Sequence, residues 1–553
     1  MRSLTMLLPS LVLLAGAQPV FAKCKCAPTD DCWPSVSKWT ALNDTVDGKL
    51  VQNQPLAEAC YQGPGYNAKQ CQSIASNWAD NTWLADSPIG YSYPLVDTCP
   101  PINASVAAYP PCELGNSPLY TIKATQAHDV AAGIKFAKEN NVRLVIKNTG
   151  HDISQPLSIW MKTIRNGLDY HETFVSSDGS CHSDWNGSAI TIGGGYVWQD
   201  AYDFAAKYDH VVVGGGDPTV GCIGGFLQGG GHGSLSHEFG LGTDQVLEYQ
   251  VVLASGDIVK ANACQNTDLF TALRGGGGGT YGVVLSATVK AYPTRPTLYH
   301  SLTITGLNRN SSAVLNATAN MISKYPAIVD EGFAGTALLT PTYGPWRYMS
   351  PFIKFLANDF SAAINHAKGV MNREIVNDLL PGNGTDYHVE SEWHTYPSWH
   401  AWYAATHHTS DGSKQPMMAS RFFGKQSLVS QQENIAELLH ILATETGEGV
   451  HTTSSSSTLL NIVAGGKVLE DAPHTSVNPA WRKAYLLLQR VDMWPANAGS
   501  QEIQQVKEEL TTRKLAAMKN LASGMGTYVN EADPYDIEWK EDWFGDQYDW
   551  LVS

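Results

Sequence analysis

The chain has 553 residues, more than one hydrophobic core supports, which implies two or more domains. It is 43% hydrophobic and only 16% charged, with 16 Trp and 24 Tyr, a composition of folded enzymes that excludes a disordered chain. The net charge of −16 argues against nucleic acid or an anionic membrane as a partner.

Residues 1–22, "MRSLTMLLPSLVLLAGAQPVFA", combine a basic start, an apolar run broken by Pro9 and Pro19, and a small-residue end. They read as a secretory signal peptide, and the mature protein is expected to be exported. Seven of the ten cysteines then crowd residues 23–117 (Cys24, Cys26, Cys32, Cys60, Cys71, Cys99 and Cys112). In an oxidising compartment that density reads as disulfide stapling of an irregular segment, with the pairing left open. The C-x-C-x5-C spacing from Cys24 fits zinc poorly, so no metal site is expected. Sequons at Asn43, Asn103, Asn186, Asn310, Asn316 and Asn383 fit an exported glycoprotein.

A helical pattern covers 66–84. A strand at 119–125, an amphipathic helix with Val130, Ile134 and Ala137 on one face, and the buried strand "VRLVIKNTG" open a layered domain. Further strands are predicted at 189–193, 210–213, 248–254 and 283–291, with a helix at 198–207 and a hairpin at "ASGD". From 297 to 500 helices such as 312–324, 358–380 and 430–446 alternate with strands and read as a second domain. A helix at 501–522 and an aromatic, acidic tail form the segment 501–553.

Glycine clusters occur at 193–195, 214–233 ("GGGDPTVGCIGGFLQGGGHG") and 274–282 ("RGGGGGTYG"), all between strands of the first domain. Such backbone admits a ligand phosphate, and three clusters suggest a long ligand such as a dinucleotide. Gly277, Gly279 and Gly282 match G-x-G-x-x-G, but a helical pattern precedes them and a strand follows, the reverse of a nicotinamide Rossmann site. No G-x-S-x-G elbow suggests a hydrolase.

The blocks "RLVIKNTGHD", "PTVGCIGGFLQGGGHGSLSHEFGLGTDQVLEYQVVLASGDIV", "NTDLFTALRGGGGGTYGVV" and "YVNEADPYDIEWKEDWFG" resemble FAD-linked oxidoreductases of the vanillyl-alcohol oxidase and para-cresol methylhydroxylase superfamily. The similarity is greatest to secreted fungal members of the berberine-bridge-enzyme-like branch. It implies an α+β protein: a two-part FAD-binding domain of the para-cresol methylhydroxylase type, formed by 118–296 and 501–553. Between them it implies an inserted α/β substrate domain of sheet covered by helices. The cofactor is FAD, attached covalently through His151 of "GHD", with Gly150 beside it. The implied pyrophosphate and ribityl cradle is Gly214, Gly215, Gly216, Asp217, Pro218, Thr219, Val220, Gly221, Gly224 and Gly225. Around the ring and adenine end the resemblance implies Gly230, Gly231, Gly233, Leu235, Ser236, Asp244, the Val246 backbone, Gly282, Val283 and, from the C-terminus, Asn530.

Relatives carry a second attachment through a cysteine just before "PTVG". Here that residue is Asp217, which cannot form a thioether, so a single tether through His151 and a weaker oxidant are expected. "GHDISQPLSIW" is also shorter than the corresponding loop of relatives. The base that takes the substrate proton is expected to be Glu531, then Tyr528, then Asp492. Val220 stands where a modest side chain leaves oxygen access in relatives, which favours an oxidase. The expected partners are molecular oxygen and a small carbohydrate, phenolic or other secondary metabolite, acting on a monomer. A dehydrogenase with another acceptor and a non-catalytic secreted flavoprotein are the alternatives. Trp393, Tyr396, Trp399, Trp402 and Tyr403 read mainly as core or interface. His388, His394, His400, His407 and His408 lack metal-binding spacing.

Overall fold

The computed structural model describes residues 24–553 apart from 93–98, 103–110, 152–156, 178, 180, 182, 308–310, 342–345, 357–359, 408–411, 413–415, 445–455 and 495–497. The expected signal peptide, His408 and the shortened loop after His151 lie outside the described residues. Three main sheets order the rest.

In the first sheet β1 (Leu50–Gln52) runs antiparallel to β2 (Tyr120–Lys123). Here β2 and β3 (Leu144–Lys147) both run parallel to β4 (Leu157–Trp160) between them. The helix Ala127–Glu139 crosses from β2 to β3 and buries Val130, Ile134 and Ala137 against Ile122 and Ile159. The Asp129 carboxylate starts that helix by accepting from the Thr125 N–H at 2.9 Å, and Lys49 Nζ donates to it at 2.9 Å. β3 delivers His151 four residues beyond its end.

The second sheet, antiparallel throughout, holds β5 (Leu168–His171) and β6 (Ala189–Gly193). A short strand β7 (His210–Val211) precedes the glycine run and pairs elsewhere; β8 (Val246–Val252), β9 (Ile258–Asn262) and β10 (Val283–Lys290) complete the sheet in the order β5-β6-β10-β8-β9. β11 (Tyr292–Pro293) closes the ribbon with β7. The helix Thr267–Ala272 precedes the 275–282 glycine loop and β10 follows it, the order opposite to a nicotinamide fingerprint.

The third sheet collects β12 (Thr297–Gly306), β13 (Phe333–Pro341), β14 (Trp346–Phe355), β15 (Tyr387–Tyr396), β16 (Pro416–Gly424), β17 (Ser457–Ile462) and β18 (Ala484–Met493). Its order is β15-β12-β14-β13-β17-β18-β16 and every pair is antiparallel. Strand alternation divides its side chains. Leu298, Leu302, Leu486 and Leu488 pack under helices Ser311–Asp330 and Gln432–Ala443. Ile353, Phe355, Phe422 and Leu487 face the other way, against the glycine-rich half.

Three expectations need correction. The helix read as 312–324 runs on through Pro326 to Asp330. Burying Tyr325, Ile328 and Val329 completely, at about 1.5–3 kcal/mol each, outweighs the roughly 3 kcal/mol cost of an internal proline. The helix read over 66–84 is two helices, because Asp80 caps a second start by accepting from the Thr82 and Trp83 N–H groups. Residues 501–521, grouped by sequence with the C-terminal return to the glycine-rich half, lie instead on the helical face of the third sheet through Val506, Leu510, Leu515 and Met518.

Four disulfides form, Cys26–Cys32, Cys60–Cys71, Cys99–Cys112 and Cys181–Cys264, while Cys24 and the buried Cys222 remain thiols.

Candidate functional site

The glycines expected to form the cradle fall into two physical classes. At Gly150, Gly214, Gly221, Gly231 and Gly233 an added Cβ would overlap Gly90 O, the Trp198 ring, the Asn148 amide, the Phe226 ring and Gly214 O, respectively. Gly282 is jammed against Val251 and Val252, where β10 begins with Val283. Gly215 meets the Phe226 ring, and Gly230 needs a φ of +127° that only glycine adopts freely. These positions are glycine because the protein packs on itself there. In contrast, among the described residues nothing lies within 4 Å of a Cβ at Gly216 or Gly224, and Gly225 meets only Asn530 at 3.9 Å. Gly277 and Gly279 are equally open, and Gly278 between them packs on Gly225, so the two loops share one bare surface. A ligand that must touch backbone fits that surface.

Behind it, two tyrosines hold the peptides in place. Tyr202 donates to the Gly215 carbonyl at 2.7 Å and Tyr403 to the Gly216 carbonyl at 2.9 Å. In a trans peptide the N–H opposes its C=O, so the amides of Gly216 and Asp217 point away from both rings. They form donors suited to an anion. Tyr403 sits in the helix Trp399–Thr406, where Trp399, Trp402 and Tyr403 are buried against Tyr202. These three aromatics lie at an interface between the halves, in line with their reading as core or interface. His388, His394 and His400 pair with Glu390, Glu392 and Asp203.

Thr219, in the same loop, meets His151: Nε2 lies 2.8 Å from Thr219 Oγ1. Asp217 Oδ1 in turn accepts from the Thr219 hydroxyl at 2.6 Å and from its N–H at 2.8 Å. Burial pushes the His151 imidazole below its ordinary value, a shift the Asp217 carboxylate opposes and the Lys147 ammonium reinforces. Lys147 is itself buried, donates to Ser87 O at 3.0 Å and lies between the Tyr91 and Trp160 rings; burial brings it down to about 7. Beside His151, neither amide atom of Asn148 finds a partner among the described residues.

The C-terminal segment closes the other end. Asn530 Nδ2 donates to Gly225 O at 2.7 Å, and Glu531 Oε1 lies 3.0 Å from His232 Nε2. The second oxygen, Glu531 Oε2, is buried without a partner among the described residues. Tyr528 differs from the expectation of a base. Its hydroxyl accepts from the Gly231 N–H at 3.2 Å and from Asn530 Nδ2 at 2.5 Å, while burial and the Glu531 carboxylate push its ionisation far upward. It fastens the Gly230–Gly231 turn.

Asp492 is also displaced from the site. On β18 the even residues face the helices, and there Asp492 is bound by Arg490 Nε and Lys514 Nζ, both at 2.7 Å, with no exposure. Asp244 is held bidentate by Arg482 at 2.8 and 3.0 Å, joining the two halves instead of facing the bare surface. Ser236 Oγ accepts from the Gly233 N–H, Leu235 is core, and Val246 opens β8 beside it. Pro218 and Thr219 are buried and Val220 is half-buried behind the loop. The residues sequence reasoning missed are His232, Lys147, Asn148 and Tyr202; Tyr403 was read as core or interface without its bond to the Gly216 carbonyl. The legible signals were an ionisable side chain among glycines ("GGGHG") and a lysine inside an apolar strand.

The FAD binding domain family matches residues 118–262. The FAD-linked oxidoreductase apf9 of Gibberella fujikuroi is 36% identical over 575 residues, covering 98% of this chain and 93% of that protein. The FAD-linked oxidoreductase hmp9 of Hypomyces subiculosus is 33% identical, covering 98% and 88%. The crystal structure of the VAO-type flavoprotein MtVAO713 of Myceliophthora thermophila C1 matches with a TM-score of 0.89 and 32% identity, over 96% of this chain and 94% of that one. A berberine bridge enzyme shares the fold at 16% identity and a TM-score of 0.62. Fold and bare glycine surface define an FAD-dependent oxidoreductase. The chain belongs to the VAO-type FAD-linked oxidoreductases of the vanillyl-alcohol oxidase and para-cresol methylhydroxylase superfamily.

Proposed function

We propose that the protein is an exported oxidase that removes a hydride and a proton from an alcohol or C–H bond of a small carbohydrate, phenolic or other secondary metabolite. FAD, held covalently through His151, supplies the two-electron acceptor, and molecular oxygen takes the electrons on as hydrogen peroxide. One observation carries this reading: the single loop 214–233 meets His151 through Thr219 and Glu531 through His232, with the open Gly224 and Gly225 between them. A tether at one end and a carboxylate at the other suit a ring lying along that loop.

In this reading the amides of Gly216 and Asp217 and the bare backbone of Gly224 and Gly225 receive the pyrophosphate and ribityl chain. Glu531 accepts the substrate proton, and His232 orients the carboxylate through Oε1. Tyr528 and Asn530 hold the C-terminal segment on the loop. Half-buried Val220 is compatible with oxygen reaching the site. The four disulfides support export.

The test needs no substrate. Acid-precipitated wild type should keep its yellow colour in the pellet and His151→Ala should release it. Dithionite-reduced enzyme mixed with air-saturated buffer should reoxidise rapidly with stoichiometric hydrogen peroxide. Colour lost to the supernatant from wild type removes the covalent tether, and sluggish reoxidation removes the oxidase.

A further inference from the structure

The proton positions around His151 follow from the side chains present. Asp217 Oδ1 lies 2.6 Å from Thr219 Oγ1, and an ionised carboxylate only accepts hydrogen bonds, so the one hydroxyl proton of Thr219 points at Asp217. Towards His151 the same oxygen can then only accept. Its partner at 2.8 Å, Nε2, must carry a proton, and a neutral imidazole then holds its lone pair on Nδ1. An aspartate that caps the N–H two residues on is a common turn device, and Asp217 does that as well. A cap alone does not require the hydroxyl to bridge onward to a buried imidazole.

We propose that Asp217 and Thr219 are positioning residues for covalent flavin attachment, fixing His151 as its Nε2–H tautomer, presenting Nδ1 as the nucleophile and drawing off the Nε2 proton. The proposal rests on the reading that His151 is the attachment site. In the step, one N–C bond forms between Nδ1 and the 8α carbon of the cofactor and one C–H bond of that methyl group breaks. The methyl proton, the imidazole proton and the electron pair of the broken bond are taken up by the cofactor ring. Molecular oxygen then removes both protons and both electrons as hydrogen peroxide. Thr219 and Asp217 form the route by which the imidazole proton leaves, as the base partner does in an activated nucleophile. The residue that replaces a second tether thereby serves the first.

The experiment follows attachment itself. Wild type, Thr219→Val, Thr219→Ser, Asp217→Asn and His151→Ala are produced in flavin-starved cells, supplied with FAD, and sampled over time. Total bound FAD and the acid-stable fraction are measured separately. Counted per FAD bound, Thr219→Val and Asp217→Asn should attach the cofactor slower than wild type, by about a hundredfold for Thr219→Val. Thr219→Ser, which restores the hydroxyl, should attach at the wild-type rate. A flavin peptide from wild type should carry the bond on Nδ1. If wild type attaches FAD and either Thr219→Val or Asp217→Asn keeps pace, the relay is overturned while the tether stands. If Thr219→Val fails to fold, Asp217→Asn at the wild-type rate overturns it alone. If wild type never attaches FAD, the reading of His151 itself falls.

Discussion

His232 Nε2 and Glu531 Oε1 lie 3.0 Å apart although 299 positions separate them in the chain, and the other Glu531 oxygen is buried without a partner among the described residues. A buried carboxylate oxygen with no donor is costly unless something fills the place. A substrate hydroxyl or C–H donor would. Glu531→Gln should therefore bind FAD normally but slow anaerobic flavin bleaching by a screened substrate about a hundredfold or more. His232→Gln should slow it less, and Tyr528→Phe least. A Tyr528→Phe variant as slow as Glu531→Gln would reverse the assignment of the base.

The two classes of glycine predict opposite phenotypes. Among the described residues Gly216→Leu and Gly225→Leu meet open space or one side chain at 3.9 Å, so the fold should keep its circular dichroism and melting midpoint while losing FAD. Gly233→Leu drives a side chain into the Gly214 carbonyl and should prevent folding. Full FAD content in Gly216→Leu would show that the bare surface is not the cradle.

Asp492 belongs to stability. Removing the carboxylate takes the counter-charge from two buried cations, Arg490 and Lys514, which costs about 3–5 kcal/mol. Asp492→Ala should lower the denaturation midpoint accordingly, with the spectrum and reduction rate of the remaining folded enzyme unchanged. A normal midpoint with slowed reduction would return Asp492 to the site.

His300 sets an acid limit. It is wholly buried, stacks on Trp393 at 4.2 Å and touches Ser391 at 2.9 Å, and burial pushes its imidazole down from 6.5 to about 4. The folded state therefore binds fewer protons than the unfolded one between those values. Its contribution is complete above pH 6.5 and is lost as pH falls towards 4, amounting to about 3 kcal/mol. His300→Phe keeps a stacked ring but no proton site, so its melting midpoint should fall less steeply than that of wild type between pH 6.5 and 4. Parallel profiles would refute this.

Much of the layout was readable because it is local. The apolar spacing of Val130, Ile134 and Ala137, the β-rich runs at 189–193 and 283–291, and the helix-before-strand order around Gly277–Gly282 are properties of neighbouring residues. The long ordered blocks through "GGGDPTVG" and "YVNE" also carried the family, and with it FAD. The alternation of β18 could say only that Asp492 and Gln489 point to opposite faces; which face helices cover depends on where residues 500–521 fold back.

By itself the amino-acid order determined where glycine is concentrated, that His151 follows a strand, and that position 217 carries a carboxylate and no thiol; that this strand, expected to be buried, is a half-buried edge strand was decided by the sheet order. Only tertiary structure decided which glycines are bare and which are jammed, because the answer lies in rings such as Trp198 and Phe226 packed behind them. It alone joined Glu531 to His232, and Asp217 through Thr219 to His151. Hydrogen bonds and steric contacts act over a few ångströms, so residues far apart in sequence acquire a shared role only once the chain has brought them within that range.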